Sequence, residues 1–169
     1  ADAILSVLTD KITSKVMDAG APTLKIIANF AVGFDNVDLV AAKERNIMFT
    51  NTPGVLTNSV AEHTFALMLS IAHRISEGDR FSRAGKYKAW GPELLLGTDL
   101  SGKTLGVVGL GRIGSRVAHH AVKGFGMKVI YTDLKQDMEF EKEYGAVFAR
   151  SADELLPQCD FVSLHVPLL

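Results

Sequence analysis

Cysteine is almost missing from this chain: Cys159 stands alone among 169 residues, so no disulfide framework can hold the fold. It reads as a small apolar filler beside a strand. No apolar run approaches the ~18 residues that a membrane-spanning helix needs. No secretory signal opens the sequence either, which makes a reducing cytoplasm the expected setting. Charge of one sign is also lacking. The formal net charge is −1, with no basic block, so neither nucleic acid nor a membrane is an expected partner. Repeats and low-complexity tracts are absent. So is metal-ligand spacing: His63 and His73 do not stand at i and i+4, and no zinc pair results. Adjacent His119 and His120 fall on different helix faces, one expected to pack and the other to be solvated.

What remains is a chain able to build a core. Hydrophobic residues make up 47% and charged residues 22%, a balance that excludes disorder and fits an α/β protein. At this length roughly 70% of the unfolded surface can be hidden. Short apolar runs alternate with helical segments, the pattern of a parallel sheet assembled from βαβ units. Strands are predicted at 4–8, 24–30, 47–51, 104–110, 128–133, 146–149 and 161–166. Helices are predicted at 13–19, 37–46, 59–84, 112–125, 137–144 and 151–157.

The long helix predicted over 59–84 opens on Ser59-Val-Ala-Glu62, which reads as a capping box. Its Phe65-Ala-Leu-Met-Leu69 stretch is apolar on every side, so cover on every side is expected, between two lobes or at a subunit contact. Asn51-Thr-Pro-Gly54 ahead of it is a turn or hinge signal. Arg80, Arg83, Lys86 and Lys88 read as a solvated helix end. Residues 86–103 form an irregular arm, with Trp90 as a packing anchor at an intersubunit contact. The chain opens without Met and closes on the apolar Phe161–Leu169, so it is expected to be a piece of a longer protein.

The most informative stretch is Thr104-Leu-Gly-Val-Val-Gly-Leu-Gly-Arg-Ile-Gly114. It sets Gly109-x-Gly111-x-x-Gly114 where a buried strand ends and a helix begins, and Asp133 closes the next strand. Gly109 permits a sharp turn, Gly111 leaves no Cβ in the way of a pyrophosphate, and Gly114 lets the helix lie close on the sheet. The helix start offers bare N–H groups and partial positive charge to phosphates. Asp133 can accept bonds from ribose hydroxyls and would repel a 2′-phosphate. Leu134 and Lys135 follow it with no Arg, which favours NAD over NADP. In the helix after the glycines, Ile113, Val117, Ala121 and Phe125 make one sheet-facing stripe.

Further segments carry a resemblance to a known family. They are Asn29-Phe-Ala-Val-Gly-Phe-Asp-Asn-Val-Asp38, Asn51-Thr-Pro-Gly-Val-Leu-Thr57, Ser59-Val-Ala-Glu-His63, Asp99-Leu-Ser-Gly-Lys-Thr104, Gly124-Phe-Gly-Met-Lys-Val-Ile-Tyr-Thr-Asp133 and His165-Val-Pro167. With the glycine fingerprint they resemble the D-isomer-specific 2-hydroxyacid dehydrogenases, glyoxylate/hydroxypyruvate reductases in particular. The resemblance implies two Rossmann/flavodoxin-like parallel-sheet lobes, both incomplete in this chain. Residues 1–51 would belong to a substrate lobe. Residues 52–169 would belong to an NAD-binding lobe, with the 59–84 helix as connector and dimer contact.

It also implies site residues. The N–H groups of Val32 and Gly33 would hold a substrate carboxylate, and Arg112 and Ile113 would lie along the pyrophosphate. Asp133 would hold the ribose, and Val166 and Pro167 would flank the adenine. The family's catalytic Arg, Glu and His lie beyond the segment matching Val166-Pro167, so no catalytic residue is expected here and these residues alone should not turn over substrate. His165 is expected to shape the cleft without moving protons, because a general acid needs an orienting partner. Asp35 and Asp38 read as turn and cap residues. The implied activity of the intact enzyme is NAD-dependent reduction of a small 2-keto acid to the D-2-hydroxy acid, in a homodimer. A non-catalytic, redox-sensing NAD module of the same fold is the alternative. A methyltransferase binding S-adenosylmethionine is disfavoured by the full glycine spacing together with Asp133.

Overall fold

The computed structural model describes residues 1–167. The chain divides into two compact units, Ala1–Leu56 and Thr57–Leu169. Each is built on an all-parallel sheet.

In the first unit, β1 (Ala3–Ser6), β2 (Ile26–Asn29) and β3 (Met48–Thr50) lie side by side in chain order. They are joined through α1 (Ser14–Gly20) and α2 (Leu39–Glu44). Met17, Ile27, Ala42 and Ile47 form the heart of its core. Asp38 caps α2 by accepting the Ala41 N–H at 2.9 Å, the role its position predicted.

The second unit contains α3 (Thr57–Ala72), α4 (Ile75–Arg83), β4 (Thr104–Val108), α5 (Arg112–Phe125), β5 (Lys128–Thr132), α6 (Met138–Tyr144), β6 (Val147–Phe148), α7 (Ala152–Leu155) and β7 (Phe161–Leu164). A single 3-10 turn, Leu156–Gln158, follows α7. The sheet runs β6-β5-β4-β7, so the chain winds outward one way through β5 and β6 and then crosses to the other side of β4. One sheet face is covered throughout, while the other is packed only at its centre and leaves Val147, Val162 and Leu164 exposed at the edge strands. Leu105, Val107, Val129 and Tyr131 point into a core shared with Phe65, Val117, Ala118 and Ala121. The alternate residue Ile130 packs with Leu155 on the other side, as the two-residue strand period requires. Gly106 lies on this second face, where a Cβ would come within 2.7 Å of the Cys159 sulfur. That close approach explains the half-buried cysteine, whose thiol pKa is raised by burial and by the Asp160 charge.

The expected helix over 59–84 is corrected to two. It begins at Thr57, so Ser59 lies in its first turn and not at its cap, and it ends at Ala72. Arg74 takes a left-handed φ of 55° before α4 begins. No Gly or Pro forces this break. The returning arm supplies partners that make it possible: the Thr98 N–H bonds the Ala72 carbonyl at 2.8 Å, and Gly97 presses so near that a Cβ would stand 2.8 Å from the His73 Cα. Arg74 then pairs with Glu77 at 2.7 Å and reaches the Leu96 carbonyl.

Of the cover expected for this helix, between two lobes or at a subunit contact, its own unit supplies one side. Ala61, Phe65, Met68 and Ala72 form one buried stripe, while Leu67 and Ile71 are exposed. Trp90 is 79% exposed. Among the described residues, no helix is long and apolar enough to cross a membrane. Leu168 and Leu169, the end of the apolar closing segment, lie outside the described residues.

Candidate functional site

Parallel sheets place binding sites where the strand order reverses, in the crevice beyond the carboxyl ends of the strands. Here that point lies between β4 and β7, and the glycine motif emerges there. Gly109 has φ +92°, and a Cβ on it would stand 2.8 Å from the carbonyl oxygen of His165 and from Val166. Only glycine satisfies both the backbone angle and the neighbour. Its N–H continues the sheet ladder to Thr132 at 2.8 Å. A Cβ on Gly114 would overlap the Gly109 carbonyl, so this residue sets how near α5 comes to the turn. Gly111 is different: nothing lies within 4 Å of its absent Cβ. The space above it is open.

The first turn of α5 leaves its amides bare. Gly111, at the N-cap, has no side-chain capping bond. The N–H groups of Gly111, Arg112, Ile113 and Gly114 donate no hydrogen bond among the described residues. A helix start always has such orphan donors, and water, a cap or a ligand must satisfy them. Four of them, with open space beside Gly111 and the helix dipole behind, offer a seat for an anion. Among the described residues, no group of three His, Cys, Asp or Glu side chains is arranged to hold a metal ion.

Asp133, just past β5, is the acidic group at the rim. One carboxylate oxygen accepts the Leu110 N–H and the other accepts the Leu134 N–H, both at 2.6 Å. Each oxygen keeps a further lone pair for a ligand. Sequence reasoning missed the Leu110 bond, which ties the carboxylate to the glycine turn. A cavity of about 570 Å³ opens beside it, lined by Leu110, Asp133, Lys135, Gln136 and Asp137 among others.

At the β7 edge, the His165 N–H extends the ladder to Val108 at 2.8 Å. Its ring Nε2 lies 2.8 Å from the Ser163 hydroxyl, and burial pushes the imidazole pKa below its ordinary value. Val166 and Pro167 follow, both exposed. His119 and His120 do not divide into packed and solvated: both are half-buried. The His119 Nδ1 is 3.1 Å from the Tyr144 hydroxyl, and the His120 ring meets the Phe65 ring edge-on at 6.1 Å.

The first unit has its own set of bare amides. Val32 and Gly33 follow β2, and their N–H groups bond nothing among the described residues. Their carbonyls are both held: Asn51 donates to Val32 at 2.8 Å and Asn29 donates to Gly33 at 3.0 Å. Asn29 is buried, accepts the Ser6 hydroxyl at 2.8 Å, and bonds Asn36. Asn36 in turn holds the Val7 and Asp10 carbonyls. A network with every member satisfied fixes the loop, because an unpaired buried amide would be costly. Sequence reasoning singled out the Val-Gly pair but not the asparagines that orient it. A buried-type strand ending in Asn was the available signal.

Parallel sheet order, glycine turn, bare helix start and rim carboxylate together define a Rossmann-type dinucleotide fold. The chain belongs to the D-isomer specific 2-hydroxyacid dehydrogenase family, whose NAD binding domain matches residues 65–169. A glyoxylate reductase of Korarchaeum cryptofilum is 51% identical over 99% of this chain and 50% of its own length. The solved TT0316 protein of Thermus thermophilus superposes with a TM-score of 0.91 at 48% identity, covering all of this chain and 52% of that one. A D-lactate dehydrogenase of Aquifex aeolicus, solved with NAD and lactic acid, gives a TM-score of 0.89 at 38% identity, over 100% and 49%. The chain thus spans about half the length of the curated relatives it matches.

Proposed function

We infer that this chain serves an NAD-dependent reductase of small 2-keto acids, of the glyoxylate, hydroxypyruvate or 2-ketogluconate type, yielding the D-2-hydroxy acid. One observation supports this above the rest: four unpaired N–H groups, Gly111 to Gly114, open at the strand-order reversal beside a carboxylate. Their donors and the helix dipole suit a diphosphate. In this reading Gly109, Gly111 and Gly114 shape the seat, and the Arg112 and Ile113 amides lie along the pyrophosphate. Asp133 takes the ribose hydroxyls, and Val166 and Pro167 border the adenine. With Leu134 and Lys135 beyond Asp133, the preference is NAD over NADP.

Residues 1–51 are assigned to the substrate lobe and 52–169 to the cofactor lobe. The bare amides of Val32 and Gly33 hold the carboxylate of the keto acid, and their asparagine-held carbonyls keep those donors aimed. NAD(H) supplies the hydride for the keto carbon. This chain's part is to bind and orient, which is how a protein contributes to cofactor chemistry. The exposed Leu67 and Ile71 on α3 support a homodimer of the intact protein. The lone Cys159 suits a cytoplasmic setting.

The test is titration of the intact protein with NADH, NADPH and S-adenosylmethionine, followed by NADH absorbance with each of the three keto acids. Tight binding of NADH alone and its oxidation by at least one acid are expected. Binding of S-adenosylmethionine in preference to NADH would overturn the reading.

A further inference from the structure

The loop from Asp133 to Asp137 lines the cavity beside the glycine turn and is fastened at both ends. Its entrance is held by Asp133, through the Leu110 amide. Its exit is held from below by a phenol. Tyr131 is fully buried in the middle of the sheet, yet its hydroxyl reaches out of the core. It accepts the Asp137 N–H at 2.7 Å and donates to Glu141 Oε1 at 2.9 Å. Glu141 also receives the Gln136 side-chain amide, at 2.9 Å on one oxygen and 3.1 Å on the other. Asp137 then caps α6 through the Phe140 N–H at 2.9 Å. Burial is the chief reason the phenol pKa is pushed up to about 12, so the hydroxyl keeps the proton it donates.

Between these fastenings the side chains of Leu134 and Lys135 make no hydrogen bond or ion pair among the described residues. Leu134 is fully exposed, and Lys135 lines the cavity with no acidic partner within salt-bridge range among the described residues. The reach of Lys135 toward the ribose end of a dinucleotide is therefore set by where the loop is pinned. A cation brought closer would favour a 2′-phosphate; one held back leaves the carboxylate of Asp133 in charge.

We propose that Tyr131, Glu141 and Gln136 form a clamp that positions the 133–137 loop and so sets the discrimination between NADH and NADPH. Tyr131 is a positioning residue here, acting through the loop and touching no ligand. The inference rests on the dinucleotide reading of the preceding subsection and names the device that gives that site its specificity.

The decisive variant of the intact protein is Tyr131→Phe, which keeps the ring in the core and removes only the hydroxyl. Fluorescence titration should show weaker NADH binding by about tenfold, the order expected when one hydrogen bond is lost and its partners are left unpaired. The NADPH-to-NADH affinity ratio should move toward one. ADP-ribose, which carries the ribose end, should weaken in step with NADH, while the KM for the keto acid stays unchanged. Glu141→Gln keeps an acceptor for both donors and should preserve the wild-type ratio; Glu141→Ala should reproduce the Tyr131→Phe shift. A purely structural tyrosine would lower the melting temperature and leave the ratio alone. That outcome, with wild-type NADH binding intact, overturns the clamp and spares the dinucleotide reading. Failure of the wild-type protein to bind NADH overturns both.

Discussion

The two units both leave backbone N–H groups bare past the end of a parallel strand, but they get there by different physics. The second unit uses a helix start. Four donors at Gly111–Gly114 are unpaired because no residue precedes them in the helix, and Gly111 leaves the space beside it open. The first unit has no helix start at Val32 and Gly33. It holds the carbonyls of these residues with the side chains of Asn51 and Asn29, and the donors are left over. One seat comes from backbone geometry, the other from a side-chain network. The first should therefore fail by steric overlap and the second by lost hydrogen bonds.

The largest expected effect is in the helix-start seat. Gly114→Ala drives a methyl into the Gly109 carbonyl, and backbone must move. Overpacking of this kind costs about 1–3 kcal/mol, up to roughly a hundredfold in NADH affinity if it all falls on the seat. Titration with NADH, with circular dichroism to check folding, would show it. Retention of wild-type affinity would mean that the glycine turn is not where phosphates sit.

Next comes the network seat. Asn29→Ala strips the buried Ser6 hydroxyl and the Gly33 carbonyl of their partner. Leaving buried polar groups unpaired costs about 1–3 kcal/mol, visible as a lower melting temperature. In the intact protein the KM for keto acid should rise while NADH affinity holds. Equal damage to both ligands would erase the distinction between the seats.

The smallest effect sharpens the comparison through pH. Burial lowers the His165 pKa in the folded state, so the unfolded chain takes up the proton first as pH falls. The contribution to stability is present above the unfolded histidine value of about 6.5 and is lost as pH falls through the folded value. His165→Asn should flatten the pH dependence of the melting temperature in that acidic window. No change in slope would show that another group controls it.

Much of this was legible in the sequence because it depends on local rules. The glycine turn, the Asp38 cap and the apolar stripe on α5 follow from residue type and spacing alone. The break at Arg74 did not, because its cause is the arm returning from twenty-odd residues downstream to take the Ala72 carbonyl. The Tyr131 clamp was hidden for a related reason. A tyrosine in a strand reads as core, and only the fold shows its hydroxyl meeting Glu141 and the Asp137 amide. The asparagine network spans Ser6 to Asn51, so no single window of sequence contains it.

The junction where Thr98 meets Ala72 has a practical consequence. The chain departs at His73 and comes back at Thr98, and not one residue between Ile75 and Asp99 is buried. Such an excursion can open and close with little apolar surface at stake, while the sheet beneath stays intact. The chain's sole tryptophan, Trp90, sits on that excursion. Its emission therefore reports the excursion's own comings and goings, and is a poor witness to whether the sheet has melted.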